Sequence, residues 1–294
     1  MRERYKEGSA RSAKNILSVI EETKAADELI LVFLHKSVDG DCVGAASGVV
    51  SMIRAMGGHA YVAIPECLPE NMKFLGIEEL FFQPDSDTEM ADEFRNNKTI
   101  GGRKVGAVIA TDLSEGSRMG VCGPIFDSID KKIVIDHHAS VTARSDNMWI
   151  DPDASSACEM VFYVAQRISV ITGKDMREIL YPNAAKAVLA GIVTDTGRFT
   201  FKNTRPETLE TAGHLIDLGG DISEVCYNLL TARQRLSSCC LQRQDPKCSS
   251  SATASSRLPL YRIRSSKNSA QVPTEWMMLY QPCATSTALN SRSY

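Results

Sequence analysis

Four short apolar runs constrain this chain more than any other feature. They are LILVFL at 29–34, HAYVAI at 59–64, VGAVIATD at 105–112 and KKIVIDHH at 131–138. Each is too continuous for a strand with one wet face, so each reads as a strand covered on both sides. Helical patterns alternate with them. CVGAASGVVSMIRAMG carries small residues that allow close packing on a sheet, and Gly57-Gly58 stops it. DPDASSACEMVFYVAQRISVITG opens with Ser156 and Glu159 at capping-box spacing. NAAKAVLAGIVTDTGRF, RPETLETAGHLIDLGG and DISEVCYNLLTARQRL read as further helices, the first ending near Thr194. PECLPENMKFLG reads as a loop and a short helix. The N-terminus patterns as an amphipathic helix with Ile16, Leu17 and Ile20 on one face. Such alternation predicts an α/β fold, a doubly wound and mostly parallel sheet.

A hydrophobic content of 43% with 23% charged residues is that of a soluble globular protein. A formal charge of −3 offers no basic surplus for coating nucleic acid. The N-terminal segment lacks the apolar core of a signal peptide, and no run approaches the ~18 apolar residues of a membrane span. The expected location is cytoplasmic. Nine cysteines occur without a C-x-x-C pair, so neither metal-knuckle nor redox-motif spacing is present. Cys42, Cys67, Cys122, Cys158 and Cys226 read as small core residues in a reducing compartment.

The character of the chain changes after Leu236, which divides it into 1–236 and 237–294. The second part is rich in Ser, has seven Lys/Arg against two Asp/Glu, and shows no sustained period. Residues 221–294 contain no glycine. Two readings are open. One is a disordered tail. The other, favoured by four cysteines and a Trp in that stretch, is an out-of-frame translation product.

Chemistry collects at the strand ends. In an open parallel sheet, ligands sit beyond the carboxyl ends of the strands. The loop LHKSVDGDCVG brings His35, Asp39 and Asp41 there from the first strand. Asp112 ends the third run, and Asp136, His137 and His138 end the fourth. Asp195, after a helix end, can enter the same crevice. Taken singly, each is an ordinary turn or cap residue; together they require cations to offset their repulsion. Carboxylate and imidazole without thiolate suit Mn²⁺, Mg²⁺ or Fe²⁺. The donors exceed the needs of one ion, and two ions roughly 3.5–4 Å apart are a device for in-line attack on phosphorus.

The ordered set, HKSVDGD at 35–41, Asp112 in ATDLSEGSRMG, Asp136-His137-His138 in VIDHHAS and Asp195 in GIVTDTGRF, strongly resembles the DHH phosphoesterase family over roughly residues 10–236. It is most similar to the nanoRNase/pAp-phosphatase branch, which implies hydrolysis of short oligonucleotides, pAp or cyclic dinucleotides with two Mn²⁺ ions, and a homodimer. The resemblance implies His35 and Asp39 on one ion, Asp41, His137 and Asp195 on the other, and Asp112 bridging both. It implies Asp136 as an auxiliary ligand or support, and His138 as a phosphate contact or proton donor. Arg118 is a candidate phosphate contact. Manganese inorganic pyrophosphatases resemble the chain less well, because Ser37-Val38 precedes Asp39 and Gly40 follows it. The branch's glycine-rich G-G-G-H substrate segment is missing after residue 220. A catalytically impaired nucleotide-binding remnant is therefore the alternative reading.

Overall fold

A computed structural model describes residues 3–140 and 145–229. The strands are β1 (Leu29–Phe33), β2 (His59–Ala63), β3 (Phe81–Phe82), β4 (Thr99–Ile100), β5 (Arg103–Thr111), β6 (Lys132–Asp136) and β7 (Met148–Ile150). The helices are α1 (Glu3–Ala25), α2 (Gly40–Ala55), α3 (Glu89–Asn97), α4 (Gly123–Ser128), α5 (Ala157–Thr172), α6 (Met176–Ile179), α7 (Pro182–Asp195) and α8 (Pro206–Asp217). The sheet runs β3-β2-β1-β5-β6-β7, all parallel, with β4 antiparallel to the start of β5.

The continuous apolar runs have a simple cause. Ile30, Val32 and Leu34 enter one core, while Leu29, Leu31 and Phe33 enter the other. Ala107 and Ile109 alternate with Val108 and Ala110 in the same way on β5. A strand with a core on each face cannot afford a polar position, so its period-2 pattern vanishes. Helices α2, α5 and α7 cover the first core, and Phe94 of α3 and Phe126 of α4 close the second.

The α2 C-terminus matches the reading of Gly57-Gly58. Gly57 takes φ +76°, and Gly58 N–H donates to the Ile53 carbonyl at 3.0 Å. At α5, Ser156 Oγ accepts from Glu159 N–H at 3.1 Å, as the spacing predicts. Glu159 Oε2 returns to Ser155 N–H at 2.9 Å, one residue before the cap. Strands β3, β4 and β7 are absent from the sequence reading, because two or three residues are too few to show a period. The helix expected from residue 221 is present at 222–229. Its remainder and the whole of 237–294 lie outside the described residues. Among the described residues, no helix is long and apolar enough to cross a membrane.

The strand order determines where a ligand can sit. The chain moves outward from β1 to β2 and β3, then returns to place β5 against the other side of β1. The reversal opens a crevice between the carboxyl ends of β1 and β5. His35 follows the first of these strands and Asp112 the second.

Candidate metal centre

Asp39 is the N-cap of α2. Its Oδ1 accepts from Cys42 N–H at 3.0 Å, which satisfies one orphan donor of the helix. The sequence pattern puts Asp41 in a loop; it lies instead in the first turn of α2, fully buried. Its two oxygens accept from Ala157 N–H at 2.7 Å and Cys158 N–H at 2.9 Å, the opening amides of α5. A carboxylate at a helix N-terminus is favoured by the macrodipole, so α5 clamps Asp41 in one orientation.

Asp112 turns out of β5 with φ +63°, a left-handed conformation that Asp tolerates better than most side chains. Its N–H donates to the Ile135 carbonyl at 2.9 Å. The turn aims the two carboxylate oxygens at different partners. Oδ2 lies 3.2 Å from His35 Nε2, and Oδ1 lies 3.2 Å from His137 Nε2. His137 Nε2 is also 3.4 Å from Asp195 Oδ2 and 3.6 Å from Asp41 Oδ2. His35 Nε2 stands 3.7 Å from Asp39 Oδ2. Asp136 Oδ1 accepts from His138 N–H at 3.0 Å and lies 2.7 Å from His138 Nδ1.

These groups border a cavity of about 390 Å³. His35, Asp39, Asp112, His137, His138 and Asp195 line it. Arg118, singled out from the sequence, lines it as well, together with Lys36 and Ser37, which the sequence reading gave no role. Asp41 and Asp136 stand behind this lining. A further residue escaped notice: Asn203 Nδ2 donates to the Ser155 carbonyl at 3.0 Å and the Asp195 carbonyl at 3.1 Å. It ties the end of α7 to the start of α5. No spacing in the sequence signals that bridge.

The electrostatics describe a cluster short of positive charge. Burial, then the Asp112 charge, pushes Asp41 up to about 7. Burial, then the Asp41 charge, pushes Asp195 up to about 8. Burial opposes the charge on His137, but contact with Asp112 and the nearby carboxylates lifts it to about 10. Burial would raise Asp112, yet His137 and His35 hold it down at about 2.

The donors fit divalent cations. Three groups, His35/Asp39/Cys42, Asp112/His137/His138 and Asp41/His137/Asp195, each place their ligand atoms within 4.8 Å of one another. Asp112 Oδ1 is buried and, though near His137, makes no aligned hydrogen bond. A buried carboxylate oxygen without a donor is costly unless a cation meets it.

Asp41, Asp195 and His137 all have raised values, so each contributes stability that is full below its free-group value and lost as pH rises through the folded one. In chelator, the melting temperature should fall as pH rises from about 5 to 9, by on the order of 5 °C. Saturating Mn²⁺ should remove or reverse the decline, because metal binding strengthens as its ligands lose protons. A metal-free melting temperature that climbs across this range would contradict the coupling.

Fold and cavity together define an α/β protein with a carboxylate- and imidazole-lined cleft at the switch point of its sheet. Residues 29–192 match the DHH family, N-terminal domain. The chain belongs to the DHH phosphoesterase family. It is 30% identical over 216 residues to the bifunctional oligoribonuclease and PAP phosphatase NrnA of Thermus thermophilus, covering 72% of this chain and 56% of that protein. The NrnA of Bacillus subtilis is 30% identical over 203 residues, covering 69% and 57%. The chain thus spans little more than half the length of the curated relatives it matches. An exopolyphosphatase-related protein from Bacteroides fragilis shares the fold, with a TM-score of 0.61 at 22% identity over 76% of this chain and 65% of that one.

Proposed function

We propose that this protein is a metal-dependent phosphoesterase acting on short nucleotides: oligoribonucleotides of a few residues, pAp or cyclic dinucleotides. The observation that carries the reading is Asp112, whose two oxygens address His35 and His137 at 3.2 Å each, as a carboxylate shared between two ions would. On this reading His35 and Asp39 would hold one ion, and Asp41, His137 and Asp195 the other. The donor set suits Mn²⁺, with Mg²⁺ or Fe²⁺ as substitutes. When bound, such ions supply Lewis-acid stabilisation of charge and an activated water.

The chain's own residues do the rest. Asp136 Oδ1 accepts from the Nδ1–H of His138, which leaves Nε2 as the nitrogen able to contact a phosphate or give a proton to the leaving oxygen. Arg118 contacts a substrate phosphate. The α5 amides and Asn203 keep Asp41 and Asp195 from drifting. Asp136→Asn is expected to lower kcat roughly 10- to 100-fold while Mn²⁺ affinity stays within about twofold, since it acts on His138 and not on the ions. A large loss of Mn²⁺ affinity would make Asp136 a ligand instead.

The test is hydrolysis of pAp, a 5′-phosphorylated diribonucleotide and a cyclic dinucleotide by the full chain, with Mn²⁺ and with chelator. Mn²⁺-dependent turnover supports the reading. Equal affinity for pAp with and without Mn²⁺, and no turnover, would leave a nucleotide-binding remnant. Pyrophosphate cleaved far faster than any ester would make it a pyrophosphatase. The cytoplasmic location and homodimer belong to the same proposal. So does a change of reading frame after about Leu236: sequencing the coding DNA across codons 225–245 should reveal a glycine-rich segment in another frame, and an intact frame without one would end that idea.

A further inference from the structure

The cluster contains one donor that the pairing of carboxylates with imidazoles leaves aside. Cys42 stands in the first turn of α2, three residues after Asp39, and is fully buried. The turn brings its Sγ, a nitrogen of His35 and a carboxylate oxygen of Asp39 within 4.8 Å of one another. Its present partners are weak ones. Asp39 N–H donates to Sγ at 3.3 Å, and the thiol donates to the Asp39 carbonyl at 3.4 Å. Sulfur is a poor donor and a poor acceptor, so little is lost when it exchanges these contacts for a cation. Asp112 Oδ2, 3.2 Å from His35 Nε2, adds a fourth donor on the same side. Ligand atoms around a tetrahedral Zn²⁺ stand roughly 3.5 Å apart, so a move of about an ångström brings the thiol among them.

We propose that Cys42 is a recruitable sulfur donor: a thiophilic divalent cation of the Zn²⁺ class takes it as a ligand on the His35 side of the centre, whereas Mn²⁺ leaves it in the core. The inference rests on the reading that His35, Asp39 and Asp112 hold a cation. Hardness drives the choice, since thiolate suits Zn²⁺ while carboxylate and water suit Mn²⁺. The thiol proton passes to solvent as the sulfur–metal bond forms. With Cys42 this side has four protein donors, a closed tetrahedral set of the kind that structural zinc occupies. Without it there are three, which leaves a position for water. Zn²⁺ seated there should therefore arrest the hydrolysis that Mn²⁺ supports.

The test strips the full chain with chelator and titrates it with Co²⁺, a spectroscopic stand-in for Zn²⁺. The wild-type chain should develop a sulfur-to-cobalt charge-transfer absorption in the near ultraviolet. Excess Mn²⁺ should erase it, which assigns the band to the shared site and not to the chain's other cysteines. Cys42→Ser supplies a hard hydroxyl that can still meet Asp39 N–H, and the Mn²⁺-sensitive band should vanish. The Zn²⁺ concentration that halves Mn²⁺-dependent hydrolysis should rise about tenfold or more in that variant. Cys42→Ala should lose the band as well, so a chain unable to bury serine does not decide the matter. A Mn²⁺-sensitive band that survives both substitutions, or no such band in the wild type, overturns the proposal even where Mn²⁺-dependent hydrolysis is intact. A band lost in both variants of a chain that hydrolyses nothing with Mn²⁺ upholds the sulfur donor and overturns the phosphoesterase reading.

Discussion

Replacing Asp112 with asparagine should reduce Mn²⁺-dependent hydrolysis by on the order of 10³-fold or more, since groups acting as one unit fail together when one is lost. The expectation comes from how the side chain is spent. Oδ2 addresses His35 and Oδ1 addresses His137; among the described residues Asp39 meets only the first histidine, and Asp41 and Asp195 only the second. Asparagine keeps the shape and tolerates the left-handed backbone at φ +63°. It replaces one oxygen with an amide that cannot ligate a cation and removes the negative charge. Alanine would add backbone strain to the lost charge, so asparagine isolates the chemistry. Calorimetric titration with Mn²⁺ should show loss of at least one of two binding events. Retention of both events and of a tenth or more of the wild-type kcat would exclude a bridging role.

The second large effect is expected at Gly191, far from any catalytic role. In an exposed helix, Gly→Ala stabilises by about 1 kcal/mol. At Gly191 of α7 a new Cβ would lie 2.9 Å from Asp41 Cα and 2.9 Å from the Gly40 carbonyl, and closer still to Cys158 Sγ. Two of these obstacles are backbone and none is the tip of a flexible chain. Overpacking should win, with a net loss of about 2–3 kcal/mol. The clash also drives α7 from α2, the helices that carry Asp195 and Asp41. Activity should fall with stability, because an ångström of misplacement matters at such a site. Gly213 on α8 provides the control, since a Cβ there meets nothing within 4 Å. Gly213→Ala should gain roughly 0.5–1 kcal/mol. Urea melts of the two variants test the sign directly; a Gly191→Ala protein as stable as wild type would mean the helices separate freely.

The sequence makes the α/β architecture legible because β1, β5 and β6 are sandwiched between two cores, which leaves unbroken apolar runs that only a covered strand explains. The ionisable residues that end these runs stand out for the same reason: a charge is tolerable there only where the sheet stops. Short elements gave no such signal, and β3, β4 and β7 went unseen. The pattern marks Asp41 as a candidate ligand but puts it in a loop, because α2 starts two residues before its first apolar position.

Local order along the chain thus determined the layers and the residue types delivered to the strand ends, while the strand order that puts the switch point between β1 and β5 came from the tertiary structure. Tertiary structure alone decided how they act on one another. Asp41 is aimed by amides 116 and 117 positions downstream. Asn203 joins Asp195 to the start of α5. Lys36 is fastened to Arg118 across the switch point. Periodicity reports which face a residue occupies; it carries no record of which oxygen meets which nitrogen, because those distances depend on segments that meet only after the sheet has closed.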